Sequence, residues 1–171
     1  MATGDTEGTL RENPDSHGAD ERICFRSILV PIDFSENSAI TVTYAAKFAA
    51  CFRCPVTLLH VINLKDYAIN QYPLGYTLPD RYVSQYEFAE SEARNGLKSF
   101  EAPFSSRGVS VKIETRAGSP FEEILTAADL CAADLIVIGS YGGTGIGRLL
   151  LGSTAERVAG RARCPVLVVK G

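Results

Sequence analysis

The sequence predicts an α/β fold, a doubly wound five-stranded parallel sheet with helices on both faces. Short apolar runs, which are typical of strands buried on both sides, alternate with amphipathic helical segments along the chain. The order is strand then helix, repeated until the chain reaches a fifth strand. With 171 residues, 46% of them hydrophobic, the chain can bury the core of one such domain.

The first strand is predicted over residues 26–32, which are mostly branched and apolar. Ser35 is predicted to cap a helix that runs to about Cys51, with alanine and valine at helical spacing. Residues 55–61 predict the second strand. The segment that follows, 64–79, is rich in tyrosine and proline, and we leave open whether it covers a ligand, meets a partner or forms a plain surface loop.

The same alternation continues in the second half of the chain. A helix is predicted from Arg81 to about Phe104, and strict alternation over 109–115 indicates a strand at the edge of the sheet, with one face in solvent. Ser119 and Pro120 open the next helix, because proline is favoured at the first helical position. The remaining predicted elements are a strand over 135–138, a helix over 153–162 and a strand over 166–169.

Composition restricts the function classes. Residues 1–22 are polar and nearly free of apolar side chains, so we predict a disordered tail before a domain spanning 23–171. A net charge of −3 gives no indication of nucleic-acid binding. No apolar run approaches the ~20 residues of a membrane helix and no signal-peptide pattern opens the chain, so we expect no membrane insertion and a cytoplasmic location.

The five cysteines do not indicate a disulfide framework, because their number is odd and the expected compartment is reducing. Cys51 and Cys54 have the spacing of a redox motif, but they close a helix. A thioredoxin-type pair opens one, where the helix dipole lowers the thiol pKa. We therefore expect buried or half-buried thiols and no metal or redox centre.

A glycine-rich segment after the fourth strand is the strongest functional signal. Between that strand and a helix start at Thr154, the chain has the spacing Gly139, two residues, Gly142, nine residues, Gly152 and then Ser153. Glycine lets a backbone approach an anion, and unpaired N–H groups at a helix N-terminus favour negative charge. The alternative is a simple turn with a helix cap. The Walker A and Rossmann fingerprints are both excluded, because neither the lysine nor the first-turn glycines are present.

A second element is needed to make this segment a binding site. If the first strand neighbours the fourth, Asp33 at the end of one meets Gly139 at the end of the other, and a nucleotide fits between them. Asp33 could instead cap the helix, but Ser35 is better placed for that, which leaves Asp33 free to accept from a base or ribose. His60 lies in an apolar strand and is interpreted as a core or crevice-wall residue, not a catalytic base.

The chain resembles the universal stress protein family in five segments, which are 28–35, 58–61, 133–140, 149–158 and 164–169. The resemblance covers residues 26–170. It implies the strand order 3-2-1-4-5 and, through the glycine spacing, membership of the ATP-binding subgroup. It also implies a homodimer that pairs through the last strand, residues 165–169.

The resemblance further implies which residues bind the nucleotide. The family roles carry over to Pro31, Ile32, Asp33, Val61, Ile138, Gly139, Gly142, Gly152, Ser153 and Thr154. Tyr141 and Gly143 depart from the family, where histidine and a basic residue are frequent, and Arg148 is the candidate that would compensate for the missing cation. These departures leave open whether the ligand is ATP, ADP or AMP, with or without Mg²⁺.

Three functions follow as hypotheses. The leading one is a cytoplasmic regulator of the stress response that binds an adenine nucleotide as a homodimer and acts on an unidentified regulatory protein. The second is a slow Mg²⁺-dependent ATPase, for which no general base is evident beside the glycine-rich segment. The third is a nucleotide-free protein-interaction module, in which the glycines serve only the fold.

Overall fold

The computed structural model describes residues 23–63, 65, 80–141 and 151–171. The predicted tail, most of the tyrosine- and proline-rich segment, and the centre of the glycine-rich segment with Gly142 and Arg148 lie outside them. Within the described residues the elements are β1 (Ile28–Pro31), α1 (Glu36–Phe52), β2 (Val56–Asn63), α2 (Asp80–Lys98), α3 (Ala102–Ser105), β3 (Val111–Gly118), α4 (Pro120–Leu130), β4 (Leu135–Gly139), α5 (Ser153–Arg161) and β5 (Val166–Val169).

The five strands form one parallel sheet in the order β3-β2-β1-β4-β5. This confirms the predicted fold class and strand order. Ile28 of β1 pairs with Val56 of β2 on one side and with Leu135 of β4 on the other. The winding direction reverses between β1 and β4, and the carboxyl ends of these strands border the crevice where such sheets bind ligands.

Alternate side chains of the central strand enter two separate cores. Ile28 and Val30 pack with the alanine-rich face of α1 and with Phe104 of α3. Leu29 packs with α4 and α5, where it joins Phe121 and Val158. Because successive side chains of a strand point to opposite faces, this division places helices on both sides of the sheet.

The predicted helix from Arg81 to Phe104 was wrong at its end. In the structure α2 stops at Lys98, and a separate short helix, α3, follows. Pro103 lies at the start of α3. A proline inside a continuous helix would lack one hydrogen bond and clash with the preceding turn, so the chain begins a new helix there.

The third strand also differs from its predicted range. It runs from Val111 to Gly118 rather than over 109–115, and it stays paired with β2 as far as Asn63 and Gly118. Its position at the end of the sheet confirms the predicted edge. The pairing with β2 continues past the alternating pattern, so the pattern alone predicted too early an end for the strand.

All five cysteines are free thiols in the structure; the expectation of buried or half-buried thiols was wrong for Cys24 and Cys51, which are exposed. Burial raises the pKa of the Cys54 thiol, and the nearby Asp134 carboxylate raises it further. A raised pKa lowers the fraction of reactive thiolate, the opposite of what a redox cysteine requires. In the part of the chain that the structure describes, no helix is long and apolar enough to span a bilayer.

Candidate functional site

A cavity of about 370 Å³ opens where β1, β2 and β4 end and α5 begins. Of the eleven residues predicted for the site, nine line this cavity, and Gly142 and Arg148 lie outside the described residues. The nine are Pro31, Ile32, Asp33, Val61, Ile138, Gly139, Gly152, Ser153 and Thr154. The fold therefore brings together side chains and backbone from four separate elements, at the topological switch point of the sheet.

Asp33 is held in place through one of its two carboxylate oxygens. Oδ1 accepts hydrogen bonds from the Ser35 N–H at 3.0 Å, the Ser35 hydroxyl at 2.6 Å and the Ser38 hydroxyl at 2.8 Å. Ser35 is the N-cap residue of α1, as predicted, but its side chain makes no cap bond and donates to Asp33 Oδ1 instead, so only part of the carboxylate is free. The described residues offer no donor to Oδ2, which is the oxygen left to accept from a ligand.

Phe34, the next residue, adopts a backbone conformation that is rare for a bulky side chain. Its φ is +62°, in the left-handed region. Its ring packs against that of His60 with centroids 4.5 Å apart and planes tilted by 34°, and a Cβ at Gly96 would lie only 2.8 Å from the Phe34 ring. The small residue in α2 therefore makes room for Phe34. Nothing in the sequence pattern indicated this contact.

His60 lies in the wall of the cavity and also contacts the ring of Phe34. Its Nδ1 lies 2.8 Å from the Ile32 carbonyl oxygen, so the ring is tied to the backbone at the end of β1. The ring is half-buried and lines the cavity. The contact with the Ile32 carbonyl therefore fixes the orientation of the imidazole in the cavity wall.

The start of α5 supplies the polar end of the cavity. The Glu156 N–H makes the first bond of the helix, to the Gly152 carbonyl at 2.9 Å. The N–H groups of Ser153, Thr154 and Ala155 precede that bond, and all three residues line the cavity. Unpaired N–H groups at a helix N-terminus, together with the helix dipole, form a site that favours anions.

Gly152 has a packing role as well as its predicted place beside the anion. Its N–H donates to the Ser140 carbonyl at 2.6 Å. A Cβ at this position would lie 3.2 Å from that same oxygen and 3.3 Å from the Tyr141 Cα. Glycine thus allows the backbone at the start of α5 to approach the backbone that leaves β4.

Several further residues, which the sequence pattern did not indicate, complete the cavity. An apolar part of the wall comes from Leu59, Pro120 and Ile124, and a polar part from Ser38, Thr41 and Ser140. The Ser140 hydroxyl is buried and has no hydrogen-bond partner among the described residues. Pro120 and Ile124 belong to α4, and only the packing of α4 against the sheet shows that its first turns reach the cavity.

Few charged side chains line the described part of the cavity. Among the described residues that line it, Asp33 carries a carboxylate, and none is a lysine or arginine. Positive potential in this part of the cavity therefore comes from backbone N–H groups and the α5 dipole. The arrangement offers an acceptor and an apolar wall at one end, and anion-binding donors at the other.

Comparison with known proteins identifies a family. The model of the universal stress protein family matches residues 25–170. Universal stress protein MJ0531 of Methanocaldococcus jannaschii is 34% identical over 146 residues, which are 85% of this chain and 82% of that protein. Universal stress protein MJ0577 of the same organism is 33% identical over 156 residues, or 86% of this chain and 96% of that protein.

Solved structures share the fold. That of MJ0577 superposes with a TM-score of 0.76 and 30% identity over 87% of this chain and 98% of its own. The universal stress protein from Archaeoglobus fulgidus, solved in complex with dAMP, has a TM-score of 0.59 and 22% identity, with 86% of this chain and all of that chain covered.

Proposed function

Since this chain is a member of the universal stress protein family, we propose that it binds an adenine nucleotide, ATP foremost, in the cavity between β1 and β4. The observation that carries the proposal is the meeting of three features in one cavity. These are the anchored Asp33 carboxylate, the apolar wall around Val61 and Ile124, and the α5 N-terminus. A nucleotide presents matching groups, which are hydrogen-bond donors on its nucleoside, the flat apolar faces of its base, and its phosphates.

The two ends of the cavity give the nucleotide a direction. Asp33 Oδ2 accepts a hydrogen bond from the nucleoside, and the apolar wall covers the base. The N–H groups of Ser153, Thr154 and Ala155 receive the phosphates. The dAMP complex of the A. fulgidus protein makes adenine nucleotides the first ligand class to test.

The biological role in this proposal is regulation in a cytoplasmic stress response. Bound nucleotide stabilises the domain around the β1–β4 crevice, and a partner protein binds the nucleotide-bound and nucleotide-free states with different affinity. Mg²⁺ accompanies ATP as the counterion of its phosphates, and the domain turns ATP over slowly or not at all.

Nucleotide that stays bound during purification is the simplest test of nucleotide binding. The protein is purified without added nucleotide and denatured, and the released small molecules are separated by chromatography. We expect adenine nucleotide at a substantial fraction of the protein concentration. Incubation of the loaded protein with Mg²⁺ then distinguishes a binder from an ATPase, because only an ATPase converts ATP to ADP and phosphate. Protein that carries no nucleotide and takes up none would support the interaction-module hypothesis.

The homodimer is also part of the proposal. Within the described residues β5 pairs with β4 on one side only, and Val166, Leu167 and Val168 are half-buried. An apolar edge strand with open backbone groups is a site for pairing with another chain. A second copy of the same strand would cover it.

Val168→Glu is expected to convert the dimer to a monomer, because it places a charge on the paired edge. The measurement is size-exclusion chromatography with light scattering. Leu130→Glu controls for the added charge alone, since Leu130 is 70% exposed on α4; thermal melts of both proteins check that they are folded, because Val168 also packs against the core. A Val168→Glu protein that stays dimeric, or a wild-type monomer, would contradict the assigned interface.

A further inference from the structure

One buried side chain outside the cavity lining touches the backbone at the start of the glycine-rich segment. Asn37, in the first turn of α1, is 3% exposed. Its Nδ2 donates to the Val169 carbonyl at the end of β5, at 3.3 Å, and makes a longer contact of 3.5 Å with the Tyr141 carbonyl. The amide therefore joins α1, the last residue of β5 and the backbone just beyond β4.

Asn37 and Gly139 fit each other in space. A Cβ at Gly139 would lie 2.8 Å from Asn37 Nδ2 and 3.2 Å from the Thr41 hydroxyl. Gly139 is not among the residues with positive φ, so its backbone conformation does not require glycine. The described structure therefore gives Gly139 a packing reason: the amide of Asn37 occupies the space of a side chain there.

The same short stretch of backbone is fixed from two further sides. The Ser140 N–H donates to the Val169 carbonyl at 2.7 Å, so that carbonyl accepts from both Ser140 and Asn37. The Ser140 carbonyl in turn accepts from the Gly152 N–H at 2.6 Å. Residues 139–141 thus link the end of β5 to the start of α5, and the Asn37 amide fills the space beside them.

We propose that Asn37 is a positioning residue for the phosphate end of the cavity. Its amide fixes the backbone of residues 139–141, and that backbone sets the distance between the end of β4 and the N–H groups of α5. Asn37 does not line the cavity, so it acts through this backbone and not by touching the ligand. The inference rests on the proposed function, because it assigns the phosphates to the α5 end.

Asn37→Ala tests the inference through the difference between two ligands. We expect affinity for ATP to fall about tenfold, and affinity for adenosine, which has no phosphates, to change less than about twofold. Val42→Ala is the matched control, since Val42 is buried in the same helix and does not line the cavity. Both affinities of the control protein are expected to stay within about twofold of wild type, after correction for the folded fraction. Equal losses for ATP and adenosine in Asn37→Ala, or no loss for either, would overturn the inference.

Hydrogen exchange in the nucleotide-free protein keeps the inference separate from the proposed function. The Ser140 amide is expected to exchange about tenfold faster in Asn37→Ala than in Val42→Ala at matched global stability. Adding Gly139→Ala should lower the Tm less in the Asn37→Ala protein than in wild type, because the amide it would meet is gone. Unchanged Ser140 exchange together with additive Tm shifts would overturn the positioning role. Absence of nucleotide binding in wild type would count against the proposed function alone.

Discussion

Gly152→Val is expected to lower the affinity for ATP at least about 100-fold, equivalent to about 2.7 kcal/mol. The physical reason is local. The new Cβ would lie 3.2 Å from the Ser140 carbonyl oxygen and 3.3 Å from the Tyr141 Cα, and both are backbone atoms that cannot rotate away. The start of α5 must then move away from the end of β4. That movement separates the N–H groups that receive the phosphates from the rest of the cavity, and calorimetric titration with ATP measures the loss.

Gly160→Val is the control for this substitution. Gly160 lies inside α5, whose N-cap is Gly152, and a Cβ there would meet nothing within 4 Å. The control therefore adds the same β-branched side chain without a clash, at a position where valine has a slightly higher helix propensity than glycine. We expect the control to bind ATP as wild type does. Gly152→Val protein that is folded and binds ATP within threefold of the control would show that the α5 start does not hold the phosphates.

Asp33→Asn is expected to lower the affinities for adenosine, AMP and ATP by the same factor, about 10- to 100-fold, which is the range for losing a hydrogen bond to a charged acceptor. An asparagine carbonyl can still accept from Ser35 and Ser38, so the turn before α1 keeps its bonds. The amide nitrogen replaces the Oδ2 acceptor with a donor, which repels a donor on the nucleoside. Titration of all three ligands against the same protein measures the pattern.

The pattern of losses identifies the end of the nucleotide that Asp33 contacts. Glu36→Gln serves as the control, since it removes the same charge from an exposed position three residues away that does not line the cavity. A change in affinity confined to AMP and ATP would place Asp33 at the phosphates and contradict the assigned direction. Equal wild-type affinities for ATP and GTP would also contradict the assignment, because the cavity would then not select the adenine base.

The elements that could be predicted from the sequence are those with a strong local signal. The apolar runs of β1, β2, β4 and β5 are long enough to identify strands, and the structure brings Asp33 together with Gly139 and Gly152, which the family resemblance had singled out. The predicted end of α2 was wrong because the helical pattern alone does not show the break before α3, where Pro103 lies in the first turn.

The contacts that were missed depend on residues far apart in the chain. Asn37 reads as an ordinary polar residue of a first helical turn, and its partners at Val169 and Tyr141 are defined only by the packing of β5 and β4 beside α1. Phe34 and Gly96 meet in the same way, across the gap between the β1–α1 turn and α2. The hydroxyls of Ser35 and Ser38 bind Asp33 where a conventional helix cap was expected, because both can turn toward its carboxylate.

Calorimetric titration of nucleotide-free protein with ATP, ADP and AMP, with and without Mg²⁺, measures whether the cavity between β1 and β4 binds an adenine nucleotide. The wild-type protein and Gly152→Val are measured side by side. We expect saturable binding of one adenine nucleotide per chain by wild type, and its loss in the variant. A wild-type protein that is folded and nucleotide-free but binds none of the three ligands would contradict the proposed nucleotide binding.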